Sequence, residues 1–151
     1  MAKKSIVADK PMFEPDSWGL TKQQADLTAI ARKLGQEKFA GRAEKWDREA
    51  IFPMANYKDL HKAGLLGICI PKKYKGLGAD QKTYALTAAE IGRYCGATAL
   101  TWNMHVSSCL WTGSLADDLP MSGAQRKNHN RRRKLHYDRI LKKGAIYAQP
   151  F

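Results

Sequence analysis

The sequence predicts an all-α helical bundle, and three observations carry that reading. Apolar residues recur at helical spacing in one segment after another, and capping residues open or close those segments. Residues 97–111 hold no Asp, Glu, Lys or Arg and place apolar side chains on every face. No strand's length of sequence alternates convincingly between apolar and polar residues, and no internal repeat is present. The 151 residues suffice for one domain with a real core, and are few for an enzyme that holds a bulky cofactor. An apolar content of 44% is that of a globular chain and excludes wholesale disorder.

The first helix starts behind Thr21. Thr21-Lys22-Gln23-Gln24 has the form of a capping box, in which Thr21 and Gln24 satisfy each other's backbone donors. Leu27, Ile30, Ala31 and Leu34 then form an apolar face, with Lys22, Arg32, Lys33 and Glu37 on the other. A second helix is predicted over 54–63, with Pro53 in its first turn and Gly64 ending it in the left-handed conformation. The run Ile68-Cys69-Ile70 is apolar and short, so periodicity does not distinguish it from a buried strand. Gly76-Leu77-Gly78 is no phosphate loop, since it neither follows a convincing strand nor completes a glycine fingerprint. Asp80 caps a third helix in which Tyr84, Ala88, Ile91 and Cys95 share a face, and Gly96 closes it. The charge-free helix over 97–111 must be buried on all sides or complete a pocket with another domain or subunit. Its lone His105 reads as a core histidine with one satisfied hydrogen bond.

Charge is concentrated near the end. Between Arg126 and Lys143 nine basic residues are opposed by Asp138, which accounts for +8 of the formal net charge of +12. With Tyr137, His129 and His136 among the arginines, this segment raises a nucleic-acid-binding module as the rival reading. No helix-turn-helix, zinc spacing or RNA-binding signature accompanies it. The first ten residues are basic, without a long apolar region or a cleavage site, and read as the frayed tail of a cytoplasmic protein. No stretch has the roughly 20 apolar residues needed to cross a bilayer. Cys69, Cys95 and Cys109, widely spaced and flanked by apolar residues, read as reduced core thiols and not as a metal site.

One ordered set of motifs is more specific than any of these. Trp46-Asp47-Arg48 is followed by Phe52-Pro53, Gly64-Leu65-Leu66-Gly67, Ile70-Pro71, Tyr74 and Gly76-Leu77-Gly78-Ala79-Asp80. This progression resembles the N-terminal α-domain of the acyl-CoA dehydrogenase family, departing from it at Lys75, where a glycine is usual. Residues 132–144 also resemble the family segment in which a polar helix, with Leu135, Ile140 and Leu141 apolar, leads to a glycine. Residues 117–130 depart from the family's spacing. Gly144 to Phe151 resembles the first strand leading into the family's middle β-domain. The resemblance thus implies a tail over 1–20, the helical domain over 21–144 and the start of a middle domain over 145–151.

What the resemblance implies about function follows from position. The parent would be an FAD-dependent oxidoreductase that dehydrogenates an acyl-CoA thioester, or a flavin-dependent monooxygenase of the same fold. The helix over 97–111 would line the acyl cavity beside the flavin, with Thr101, Trp102 and His105 facing it. Related flavin monooxygenases of this fold use a histidine near the flavin, and on that reading His105 would take that role. Gln149 and Phe151 would approach the flavin. The basic segment could attract the phosphates of coenzyme A or flavin. The intact protein would be a homo-oligomer, dimer or tetramer, with no specific nucleic-acid partner. The family's middle and C-terminal domains supply most flavin contacts and usually the glutamate base, so this fragment is expected to be inactive and to retain no FAD. Its own Asp47, Glu49, Asp80 and Glu90 read as helix-end or surface-paired carboxylates, not as catalytic bases.

Overall fold

The computed structural model describes residues 10–110 and 117–148, and among them every regular element is helical. They run α1 (Lys22–Leu34), a π-helical turn (Gly35–Phe39), α2 (Ala40–Arg48), α3 (Met54–Lys62), two short 3-10 turns (Leu65–Gly67 and Lys72–Tyr74), α4 (Gln81–Gly92), α5 (Gly96–Leu110) and α6 (Gly123–Lys143). The predicted all-α bundle is the observed fold. α1 lies along α4 and α4 along α5, while α6 closes the other side across the Leu65–Gly67 turn.

α1 begins as its sequence dictates. The Gln24 N–H donates to Thr21 Oγ1 at 3.3 Å and the Thr21 N–H donates to Gln24 Oε1 at 3.0 Å. Leu27 and Ala31 are buried, but Ile30 is 39% exposed, because one residue before Ala31 the helix has turned by about 100°. α2 is not among the expected elements. It continues α1 through the π turn, whose origin is a row of buried residues at a spacing of four: Ala31, Gly35 and Phe39. At 3.6 residues per turn that row would drift off the core, and the wider turn keeps it in line. Gly35 sits under the Tyr94 ring, where a Cβ would come within 2.1 Å of Tyr94 Cδ2.

Pro53 caps α3 instead of entering its first turn; its carbonyl accepts from the N–H groups of Asn56 and Tyr57 at 2.9 and 3.2 Å. Gly64 follows α3 with φ +77°, the left-handed end that its position predicts. Ile68, Cys69 and Ile70 are buried in a loop and form no strand. The carbonyls of Ile68 and Ile70 accept from Ala79 and Gly78, both at 2.9 Å, which folds the motif loop back on itself. Within that loop Lys75 adopts φ +70°, so the place where the family's glycine is missing is left-handed backbone. Asp80 caps α4, accepting from the Thr83 N–H at 2.8 Å and its hydroxyl at 2.5 Å. α4 ends at Gly92, and Gly96 opens α5 instead of closing α4.

The carboxylates divide. Glu90 is fully buried, not surface-paired: it meets Arg93 at 2.9 Å and Arg32 at 3.7 Å, and accepts from the Met12 N–H at 2.8 Å. That bond anchors residues 10–20, so the described part of the expected tail is a tethered turn in which Phe13 and Trp18 pack edge to face at 4.9 Å. Asp47 and Glu49 stand at the C-terminal end of α2, where Glu49 closes the helix with its N–H on the Lys45 carbonyl at 3.0 Å and its carboxylate lies 4.0 Å from Lys45 Nζ.

α6 starts well before the predicted polar segment. Its N-terminus is a second capping box, with the Gln125 N–H donating to Ser122 Oγ at 3.3 Å and the Ser122 N–H to Gln125 Oε1 at 2.8 Å. Arg133, Tyr137 and Ile140 form its buried face, and Leu135, expected with the apolar side, is 51% exposed. Gly144 ends the helix at φ +65°. Residues 145–148 form no strand. Cys69, Cys95 and Cys109 are buried thiols, and burial pushes those of Cys69 and Cys109 up to about 12.

Candidate functional site

α5 carries the site residues expected from position, and two sets of polar contacts fix it in place. At its start the Thr98 hydroxyl donates to Cys95 Sγ at 3.0 Å and accepts from Asn56 Nδ2 at 2.8 Å. Asn56 Oδ1 in turn accepts from Arg42, which together with Lys38 also binds the buried Asp59 at 2.8 and 2.7 Å. Burial alone would push the Asp59 carboxyl up, but the two cations outweigh it and hold the group below the usual carboxylate range. This network ties α5 to α3, to α2 and to the π turn.

Further along, Trp102 and His105 lie three residues apart and so on one helix face. The Trp102 indole N–H donates to the Leu65 carbonyl at 3.2 Å, and His105 Nε2 to the Leu66 carbonyl at 3.0 Å. His105 Nδ1 accepts from the Tyr147 N–H at 3.0 Å. A carbonyl on one nitrogen and an amide N–H on the other fix a neutral imidazole with its proton on Nε2. Burial lowers the His105 pKa, and the Leu66 carbonyl acts in the opposite direction. Both ring nitrogens are engaged, and both side chains are fully buried. As the domain stands, neither Trp102 nor His105 offers surface to a ligand.

The other side of α5 is open. Leu100 is 65% exposed, and Thr101 and Met104 are half-buried. The Thr101 hydroxyl donates to the Ala97 carbonyl at 2.8 Å and lies beside the Tyr57 phenol. Burial pushes the Tyr57 phenol up to about 12, and the Thr101 hydroxyl opposes that rise. Phe52 packs against the Tyr57 ring at 4.9 Å. Leu100 and Phe52 are thus the exposed apolar side chains here, and Tyr57, 2% exposed, is buried between Thr101 and Phe52. Tyr57 escaped the sequence reading, since nothing local in its helix marks it as a neighbour of α5.

This surface offers dispersion contacts and hydroxyls, and no carboxylate or free imidazole. Asp80 is committed to Thr83 and Glu90 to its two arginines. Gln149 and Phe151 lie outside the described residues. Tyr147, just before them, links α5 to α6: its N–H serves His105, and its hydroxyl meets His136 Nδ1 at 2.8 Å. The residues described here therefore compose one wall, not an enclosed site that fits a flavin. Among the described residues no group of three or more His, Cys, Asp or Glu is placed to hold a metal, and no helix is long and apolar enough to cross a membrane.

The basic segment is ordered into α6. Arg133 is buried, lies 5.2 Å above the Tyr74 ring and pairs with Asp117 at 2.8 Å. Tyr137, the aromatic expected among the arginines, is 1% exposed and packs edge-on against Tyr74, so it provides no stacking platform for a base.

Comparison with known proteins adds the following. Residues 21–115 match the family described as "Acyl-CoA dehydrogenase, N-terminal domain". A probable acyl-CoA dehydrogenase of Bacillus subtilis is 36% identical over 88 residues, 58% of this chain and 23% of that protein. An acryloyl-CoA reductase (NADH) of Anaerotignum propionicum is 34% identical over 89 residues, 59% of this chain and 23% of the other. A 3-sulfinopropanoyl-CoA desulfinase of Variovorax paradoxus is 35% identical over 78 residues, 52% of this chain and 20% of that protein. The matched segment thus spans less than a quarter of each relative.

Proposed function

The chain belongs to the acyl-CoA dehydrogenase family, and on that premise we propose that it serves as the N-terminal helical domain of a flavin-dependent enzyme that dehydrogenates an acyl-CoA thioester. The observation that carries this reading is the exposed, charge-free side of α5, where Leu100 is open and Thr101 and Met104 are half-buried, beside the Tyr57 ring that carries the exposed Phe52. An acyl chain needs such a surface, since it is held by apolar contact and by exclusion of water. Thr101 is the member of the expected trio that touches the acyl group. Trp102 and His105 stand behind the wall as positioning residues, fixing the angle of α5 through the Leu65 and Leu66 carbonyls.

FAD, bound mainly by the rest of the parent protein, supplies the hydride acceptor in this reading, and the carboxylate base lies in that remainder as well. Gln149 and Phe151 approach the flavin where the chain leaves the helical domain. The relatives support a thioester substrate over monooxygenase chemistry, since the names of all three refer to acyl-CoA thioesters. The parent is proposed to act as a homo-oligomer in the cytoplasm.

A chimera tests the proposal. This chain replaces the matched N-terminal portion of the Bacillus subtilis relative, and the flavin-loaded chimera is mixed anaerobically with acyl-CoA thioesters of graded length. Bleaching of the flavin band is the expected result, with Leu100→Asp raising KM about tenfold or more through lost apolar burial while kcat changes little. A folded, flavin-loaded chimera that no acyl-CoA bleaches would refute the reading.

A further inference from the structure

The fold employs Arg133 and Arg126 of α6 internally, the latter on Asp117 and the Leu119 carbonyl, and turns most of the other cations outward. Arg133 is buried against Tyr74 and Asp117, whereas Arg131, Arg132, Lys134 and Lys142 are exposed. A cleft of about 90 Å³ between the Lys72–Tyr74 turn and α6 is lined by Lys73, Lys75, Lys134 and Lys142. Through the shared Lys134 and Asp138 it opens into a hollow of about 270 Å³ that adds Arg131, Arg132 and Leu135. Six cations thus face one carboxylate, Asp138, and that carboxylate is already paired with Lys134 at 2.6 Å and Lys142 at 3.4 Å. Like charges brought together repel, and their positive potential is relieved when an anionic surface fills the groove.

We propose that this groove is a docking surface for an acidic helical segment of another protein, one that carries an apolar anchor among its carboxylates. Three observations favour such a partner. Leu135 is 51% exposed in the middle of the cationic lining, a contact that a leucine-sized side chain uses and a polyphosphate does not. Tyr137 is buried, and the ring of Tyr74, the aromatic that lines the cleft, is already engaged by Arg133 at 5.2 Å and Lys73 at 5.4 Å, which leaves no open platform on which bases could stack. Leu135 is also the exposed large apolar side chain of α6, too little apolar surface for the helix to sink into a bilayer. With 21 residues α6 is roughly 30 Å long, enough to receive a partner helix of about 20 residues. Charge complementarity sets the encounter and the register, and Leu135 supplies the desolvated contact.

The test uses the full chain and a fluorescein-labelled, glutamate-rich peptide of about 20 residues with leucines one heptad apart. Its competitors are an all-glutamate peptide of equal length, random-sequence duplex DNA and phosphatidylserine vesicles. At about 0.15 M salt, where exposed charges act over roughly 8 Å, the leucine-bearing peptide should bind about tenfold tighter than the all-glutamate peptide and prevail over DNA and vesicles. Arg131→Glu and Lys73→Glu should each weaken it about tenfold, and Leu135→Ser should abolish the leucine preference. Lys33→Glu on α1, an equal charge change outside the groove, should leave affinity within about twofold. The proposal is overturned by tighter capture of DNA or vesicles, by absence of binding at that salt, or by equal losses from Lys33→Glu and Arg131→Glu. It is equally overturned if the leucine preference persists in Leu135→Ser, or if both groove reversals leave affinity unchanged.

Discussion

Lys75 and Gly35 occupy each other's natural places. Lys75 has φ +70°, where a Cβ is strained, and its side chain is exposed in the basic cleft. Lys75→Gly should therefore raise unfolding free energy by about 0.5–1 kcal/mol, the relief of strain exceeding glycine's entropic penalty. Gly35→Ala should lower it by about 1–3 kcal/mol, since the added methyl meets the Tyr94 ring. Urea titration measures both, and two shifts of the same sign would contradict this account. Asp80 makes a prediction in pH. The Thr83 hydroxyl and N–H stabilise its carboxylate and hold its pKa below the usual range. The folded value lies below the unfolded one of about 3.9, so the cap's contribution is complete above that pH and is lost as pH falls through the folded value. Asp80→Asn should show a shallower loss of stability with acid than the parent chain; superimposable acid limbs would contradict the assignment. Asp80, Thr21 and Gly64 were legible in the sequence because capping is settled within a few residues. Glu90 was not: Arg93 is its helical neighbour, but Arg32 and the Met12 N–H reach it from distant parts of the chain.

α5 shows what a sequence pattern states about a helix and what it omits. The absence of charge over residues 97–111 implies that no side of α5 was made for bulk water, yet it does not say which side meets this domain's core. Carbonyls of the Leu65–Gly67 turn decide that, by accepting from Trp102 and His105 and leaving Leu100 outward. The isolated chain should consequently bind a hydrophobic dye and self-associate, and Leu100→Ser with Met104→Ser should diminish both, as read by dye fluorescence and light scattering. A dye-silent monomer would show that the α5 surface is covered within the chain. α6 was misread in its length for a different reason. Ser122 and Gln125 spell its capping box, but the charge of the following arginines and the unusual spacing of residues 117–130 drew the predicted helix to a later start. Leu135 then seemed to belong with Ile140 and Leu141, although helical geometry turns it away from them.

For the whole molecule, the described residues make a bundle with an exposed apolar stretch on α5 and without the enclosure that a flavin requires. Purified with excess FAD and desalted, the chain should show no stoichiometric flavin band; a retained band would mean that this domain grips the cofactor unaided. The motif series from Trp46 to Asp80 made the family legible because its loops are punctuated by glycine and proline at set intervals. The long helix at the start carries no such punctuation, and its π turn only acquires meaning once Tyr94 is seen against Gly35. That turn imposes a rule of counting. Removing a single residue between Gly35 and Phe39 would leave charge and hydropathy almost unchanged, yet would let an ordinary α-helix run straight through. Everything after it would keep its face, with Arg42 still on Asp59 and Asn56, whereas removing a second residue would index α2 about 100° out of phase and unfasten the start of α5. Loss of one residue should therefore be absorbed in this stretch and not in the α-helical turns on either side of it, and a one-residue deletion library should reveal the turn as an island of survival.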